Sequence, residues 1–218
     1  MLLLAIDTCG PLGTVALARL AGGRIEILGE TELPGKTWSV RLVPAIHELL
    51  GGHNSPLDRI GAVIMTSGPG SFTGIRIGLS TAKGLAEARS IPLIAVSRLA
   101  VLAHKAQVRA AALDAGRGEF YLGDFSGEKR ESLLTRGEFE EAASAQGQNL
   151  AVCEASALGV AAAATRVPAP TAADALLFAL PRIDARDFDD PVALDGHYLR
   201  RSDAEIFSKP KLSMVGRS

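Results

Sequence analysis

One unit occurs twice in this chain. Leu2-Leu-Leu-Ala-Ile-Asp7 is an apolar run that ends on an aspartate, enters the turn Cys9-Gly-Pro-Leu-Gly13 and leaves through Thr14–Leu20. Arg109-Ala-Ala-Ala-Leu-Asp114 runs likewise into Ala115-Gly-Arg-Gly118 and leaves through Glu119–Phe125. Apolar runs of this length broken by glycine read as strands joined by a tight turn. The elements downstream of the two copies correspond as well. The first continues through a Gly22-Gly23 turn, a strand Ile25–Leu33, a helical period Ser39–Leu50 and an apolar β run Ala62–Thr66. A glycine-rich loop, a helix Thr73–Arg89, a strand Ile91–Val96 and a helix Leu99–Gln107 complete it. The second continues through a strand Glu131–Thr135, a helix Glu138–Ala145 and a strand Leu150–Cys153. Beyond Ala155 it degrades into an alanine-rich stretch, a break at Pro168 and Pro170, and one more helix, Ala172–Leu180. Three antiparallel strands extended by parallel ones through helical crossovers predict an α/β fold of two duplicated domains, 1–105 and 106–218, the second truncated. A cleft is expected between the hairpins that carry Asp7 and Asp114. Tyr198–Arg201 reads as a short edge strand and Ser208–Ser218 as a fraying tail.

Composition narrows the function. With 218 residues and 47% apolar content the chain can bury a sizeable core. Its 23 basic and 24 acidic residues give a net charge of −1, so no global field draws it to nucleic acid or an anionic membrane. Cys9 and Cys153 are far apart, which excludes a disulfide framework or a CxxC site and fits a reducing cytoplasm. The apolar start stops at Asp7, too short for a signal segment, and no run reaches the roughly 20 residues of a spanning helix. The expectation is a cytoplasmic protein with no membrane contact.

Few groups here could carry chemistry. The run Ser67-Gly-Pro-Gly-Ser-Phe-Thr-Gly-Ile-Arg-Ile-Gly78 is a strand-to-helix turn. It can cradle an anion at a helix N-terminus, yet it is neither GxxxxGK[ST] nor GxGxxG. The other reading is that its glycines serve turn dihedrals and close helix packing. Asp7 and Asp114 could hold a metal-nucleotide between the domains, with Thr8, Gly13, Thr14 and Arg117 near the phosphates; the alternative is a pair of ordinary Asx turns. His47, His53, His104 and His197 form no HxxxH pair, and no GxSxG is present, so neither a metal site nor a catalytic residue is assigned. No cofactor is expected.

The two long helices carry more apolar surface than one sheet needs. In Thr73–Arg89, Ile75, Leu79, Ala82 and Ala86 form one stripe and Ile77, Thr81, Leu85 and Ala88 another. In Ser39–Leu50, which contains Pro44, Val40, Val43, His47 and Leu50 lie on one side and Leu42, Ile46 and Leu49 on another. Two such helices with Trp38 at one end predict half of a helix-bundle interface. The expected contact residues are Trp38, Arg41, Leu42, Ala45, Ile75, Arg76, Leu79, Ala82, Lys83 and Ala86 if the Ile75–Leu79–Ala82 stripe faces outward; if that stripe faces the sheet, Ile77 and Leu85 are the candidates instead, and the other reading is that loops of this chain bury both faces.

The segment Ser67–Ala86, preceded by Leu4-Ala-Ile-Asp-Thr8 and followed by Ile91-Pro-Leu-Ile-Ala-Val-Ser97, closely resembles the TsaB (YeaZ) family. The resemblance extends through Asp114-Ala-Gly-Arg-Gly-Glu-Phe-Tyr121 to Tyr198-Leu-Arg200, weakly from about 140 to 190. It implies a duplicated RNase H-like, actin/Hsp70/sugar-kinase-like fold. It also implies a non-catalytic subunit that heterodimerises with a TsaD-like transferase, the enzyme that places threonylcarbamoyl on N6 of the adenosine beside the anticodon in tRNAs reading ANN codons. A TsaE-like ATPase joins them, tRNA is met only through the complex, and a homodimer forms when the partner is absent. The resemblance further implies that the two helices form the interface. The chain departs from the family at Trp38-Ser39, where His-Ser is usual, and lacks the usual proline before Tyr198. Two other functions stay open: an ATP-dependent small-molecule kinase using Asp7 and Asp114, and a glycoprotease-like hydrolase.

Overall fold

The computed structural model describes residues 1–35 and 37–200. The expected tail Ser208–Ser218 and the last residue of the expected edge strand, Arg201, lie outside the described residues.

The first sheet is built from β1 (Leu2–Asp7), β2 (Leu12–Ala21), β3 (Arg24–Pro34), β4 (Ile60–Gly68) and β5 (Leu93–Ser97), in the order β3-β2-β1-β4-β5. The β1–β2 and β2–β3 pairs are antiparallel, while β1–β4 and β4–β5 are parallel. The crossovers are α1 (Trp38–Gly52) and α2 (Phe72–Arg89). The second sheet holds β6 (Ala110–Gly116), β7 (Glu119–Asp124), β8 (Arg130–Thr135), β9 (Leu150–Val152) and β10 (Thr165–Arg166), in the order β10-β9-β6-β7-β8. Taken from its other edge, that order and its pattern of directions repeat the first sheet. The duplication legible as two strand–Asp–turn–strand units is thus a duplication of topology. Its second copy is the reduced one: β10 has two residues, and α5 (Ala155–Val160), inside the alanine-rich stretch, has six.

Between the sheets lies α3 (Arg98–Ala106). Its Val101 packs on the first sheet with Ile64, Ile94 and Val96, while Leu99, Leu102 and Ala103 pack on the second with Ala111, Leu113 and Tyr121. The far face of the second sheet is covered by α4 (Arg136–Gln146) and α5, with Phe139 fully buried. The last helix, α6 (Ala172–Asp184), comes after the second sheet in sequence but packs on the first, burying Ala172, Ala175, Leu176, Ala179 and Ile183 against β1, β2 and β4. A division at 105/106 therefore separates the strands of the two sheets, whereas α6 returns across it. The return is held by hydrogen bonds: the Ala172 N–H donates to Thr14 Oγ1 (2.7 Å) and the Ala173 N–H to Glu30 Oε1 (3.0 Å), satisfying two helix-end donors. Thr171 and Asp174 form a capping box beside them.

After α6 the chain straps the two units together. The Asp189 N–H donates to Leu93 O and the His197 N–H to Ser67 O. Residues 198–200 form no strand, contrary to the expected edge strand. Side chains dominate instead: Tyr198 stacks on Phe72 with ring centroids 4.4 Å apart, and Arg200 donates to Ala115 O and Gly116 O while pairing with Glu119. His197 Nε2 lies 2.7 Å from Glu131 Oε2, and Glu131 Oε1 accepts the Ser97 hydroxyl at 2.5 Å. The Glu131 hydrogen bond raises the His197 pKa, so this clasp stabilises the fold below the ordinary histidine pKa and its contribution is lost as pH rises through the raised value. Melting curves of His197→Gln are expected to fall below those of the parent at pH 6 and to converge with them at pH 9. A gap of equal size at both pH values would mean that the imidazolium contributes nothing.

Candidate functional site

The glycine-rich loop shapes one wall of the space between the sheets. Gly70 has a positive φ of 157°, and a Cβ there would collide with the Cys9 carbonyl; one at Gly74 would collide with the Thr8 carbonyl. The Ser71 N–H donates to Cys9 O (2.8 Å), and Ser71 Oγ accepts the Gly74 N–H as the cap of α2. Gly70 and Gly74 are thus explained by the close approach of this loop to the end of β1. A cleft of about 910 Å³ opens beside it, bounded by Pro11, Trp38, Ser71 and Arg98 on one side and by Asp114, Tyr121 and Glu154 on the other.

Of the six residues expected around a nucleotide, Asp114 alone lines this cleft. Its carboxylate accepts the Gly116 N–H and the Ser156 hydroxyl, both at 2.6 Å. Asp7 is buried: it accepts the Cys9 N–H (2.8 Å) and lies 3.6 Å from Arg98 Nε, the two side chains only 3% and 5% exposed. Burial pushes the Asp7 carboxyl above its ordinary pKa against the pull of Arg98. The Thr8 hydroxyl donates to Gly74 O (2.6 Å), and Thr14 is occupied at the end of α6. Gly13 lies under the Trp38 indole, whose Nε1 would be 2.7 Å from a Cβ there. Arg117 sits at φ 59° in the exposed β6–β7 turn. The groups that could have turned toward phosphates are mostly engaged inside the chain. Arg98, the guanidinium that neutralises Asp7, was not among the residues singled out from sequence, because a charge at a helix start ordinarily reads as solvated.

The second candidate surface is the outer face of α1 and α2, which lie side by side on the same face of the first sheet. Here the structure decides between the two rotations left open and corrects the contact residues that depended on the first. Seven of the ten expected contact residues, Trp38, Leu42, Ala45, Ile75, Leu79, Ala82 and Ala86, are buried in the chain's own core. Arg41 and Arg76 are exposed and Lys83 half-buried, Arg41 being 3.7 Å from Glu48. The physical reason lies in packing: the loop seats Gly74 and Gly78 on Thr8, which turns Leu79 and Ala82 onto the sheet and Ile75 toward Gly68 and Gly196. Facing outward are Val40 and Val43, 68% and 63% exposed, with Pro44 and His47 on α1. On α2 the outward residues are Ser80, Gly84 and Ala88, flanked by half-buried Ile77 and Leu85. The signal that could have found the α2 face is the four-residue spacing of Ser80, Gly84 and Ala88.

The family model described as TsaD, tRNA N6-adenosine threonylcarbamoyltransferase, matches residues 32–174. The protein named tRNA threonylcarbamoyladenosine biosynthesis protein TsaB in Haemophilus influenzae is 36% identical over 133 residues, 58% of this chain and 55% of that protein. The TsaB of Buchnera aphidicola subsp. Schizaphis graminum is 30% identical over 154 residues, 64% of this chain and 71% of that protein. The chain belongs to the TsaB (YeaZ) family. A solved structure, YeaZ from Pseudomonas aeruginosa, superposes on this TsaB-family chain with a TM-score of 0.71 at 27% identity, covering 90% of this chain and 100% of that one. The match to the first curated TsaB relatives spans little more than half of their length, 55% and 54%. Among the described residues, no helix of this TsaB-family chain is long and apolar enough to cross a membrane.

Proposed function

We propose that this chain is a non-catalytic subunit of tRNA threonylcarbamoyladenosine synthesis that docks on a TsaD-like transferase through the outer face of α1 and α2. The observation that carries this reading is that face itself. Valines more than three-fifths exposed at positions 40 and 43, beside a run of small residues on α2, form an apolar face of the kind that docking surfaces use. Family membership supports the pathway, and the match to the TsaD family model supports a related transferase as partner. Engagement of Asp7, Thr8 and Thr14 within the chain supports a subunit without phosphoryl-transfer chemistry of its own. On this reading tRNA and a TsaE-like ATPase are met through the complex, and a homodimer uses the same face when the partner is absent.

Co-purification with a TsaD-like protein, followed by a reconstituted tRNA modification assay with and without this chain, tests the proposal. Modification is expected only when the chain is present, and the chain alone is expected neither to hydrolyse ATP nor to modify tRNA. Val43→Glu is expected to leave the melting temperature of the free chain unchanged, since the residue is solvated there. The same variant should weaken partner binding by about 100-fold or more, because an unpaired carboxylate would be buried at the interface. Sustained ATP turnover by the pure chain would favour the kinase reading instead.

A further inference from the structure

The strap delivers the chain to the rim of the cleft between the sheets. Arg200 donates to Ala115 O (2.8 Å) and Gly116 O (3.1 Å), and both of these residues line that cleft. Residues 201–218 therefore start at its mouth. An extended chain spans at most about 3.3–3.6 Å per residue, so Ile206 can lie up to roughly 20 Å from Arg200. That reach is enough to enter a cavity of about 910 Å³, and a cavity of this size can take a short peptide segment.

The lining selects for one kind of segment. Pro11 is exposed there and Ile77 and Ala115 are half-buried, which puts apolar surface on both walls. Charge is uneven. Arg98 is held against Asp7 inside the first unit, and the N-terminus of α2 is already capped by Ser71. On the second wall Asp114 is exposed and Glu154 half-buried, so the accessible charge of the cleft is negative. Its complement is an apolar segment that carries cations and no carboxylate. Ile206-Phe-Ser-Lys-Pro-Lys-Leu212 is such a segment, with three large apolar side chains and two lysines. The two acids of residues 201–218, Asp203 and Glu205, both precede it. We propose that residues 206–212 fill the chain's own cleft, with Ile206, Phe207 and Leu212 on its apolar surface and Lys209 and Lys211 toward Asp114 and Glu154. The chain thereby supplies the occupant of its own cleft and closes it to molecules from outside. This site is distinct from the outer α1–α2 face, and the inference does not depend on the docking proposal.

The test uses full-length chains and a synthetic peptide of residues 201–218. Ile206→Asp and Phe207→Asp together are expected to lower the melting temperature by about 3 °C or more, because two apolar side chains lose their site; on a solvated segment the same change would leave it unmoved. This double variant, its cleft vacated, should bind the peptide by calorimetry. The parent should bind it at least about tenfold more weakly, since its own segment competes at high effective concentration. A peptide carrying Lys209→Glu and Lys211→Glu should lose about tenfold in affinity for the double variant. Adding Asp114→Asn to the receiving chain, which keeps an oxygen for the Gly116 N–H and removes the charge, should weaken the unaltered peptide about threefold or more. If the double variant does not fold, Lys209→Glu with Lys211→Glu in the full chain takes its place. An unchanged melting temperature, no peptide binding, or equal peptide affinity in parent and double variant would overturn the proposal. So would affinity that survives Asp114→Asn and is lost on adding Val43→Glu, which would put the segment on the outer α1–α2 face.

Discussion

Gly84→Gln is expected to abolish association with the proposed TsaD-like partner while leaving the isolated chain at least as stable as before. Gly84 stands in the interior of α2, where glycine costs roughly 0.5–1 kcal/mol relative to alanine through the backbone freedom it loses on folding. A Cβ built there meets nothing within 4 Å, so a longer side chain can extend into solvent in the free chain. Glutamine is a good helix former, and its introduction should hold or raise the melting temperature. In a complex the same position becomes a floor. Ser80, Gly84 and Ala88 recur at four-residue spacing on the exposed side of α2, and side chains this small would let a partner helix settle at short interaxial distance. Filling that position would lift the partner off Ile77, Leu85, Val40 and Val43 together. An affinity loss of about 100-fold or more, roughly 2.7 kcal/mol, is expected by calorimetry, with a smaller loss for Gly84→Ala. Full affinity in a folded Gly84→Gln would remove this face from the interface, and a melting temperature well below the parent's would make the position structural.

How much of this was legible in the sequence differs by element. The strand–Asp–turn–strand unit is local, since an apolar run, a glycine pair and a second run fix a hairpin whatever surrounds it, and both copies fold where they were expected. The rotation of α2 is not local. Ile75–Leu79–Ala82 and Ile77–Thr81–Leu85 are both apolar enough to face a sheet, and the choice is made by Gly74 and Gly78 fitting against Thr8, some 66 residues upstream of Gly74. For α6 the buried stripe Ala172, Ala175, Leu176, Ala179 and Ile183 announces a helix with one hidden face but says nothing of which sheet hides it. That was decided by Thr14 and Glu30 accepting the first donors of the helix. Of the cleft, the glycine loop and Asp114 were legible. The role of Arg98 was not, because its partner Asp7 lies 91 residues away at the end of β1.

Arg98 is the residue whose loss should damage the fold most. Arg98→Met removes the only cation within ion-pair distance of Asp7 among the described residues and leaves a carboxylate in a site that water does not reach. Breaking a buried pair from one side costs about 3–5 kcal/mol, a large fraction of the 5–15 kcal/mol that holds a typical domain together. The loss should depend on pH in a direction set by burial. Burial already raises the Asp7 pKa, and without Arg98 opposing it the carboxyl in the folded variant would hold its proton more firmly still. The folded state then binds more protons than the unfolded one, so stability falls as pH rises, and the deficit of Arg98→Met should be larger at pH 8 than at pH 5. Replacing both partners separates charge from packing. Asp7→Asn keeps the oxygen that accepts the Cys9 N–H and carries no charge, so the double variant Asp7→Asn, Arg98→Met should recover much of the loss, as paired removal of buried ions often does. Urea titrations at the two pH values measure all three chains. A double variant no more stable than Arg98→Met would mean that the guanidinium is held for its contacts across α3 and the second sheet, and that the charge of Asp7 is incidental to the fold.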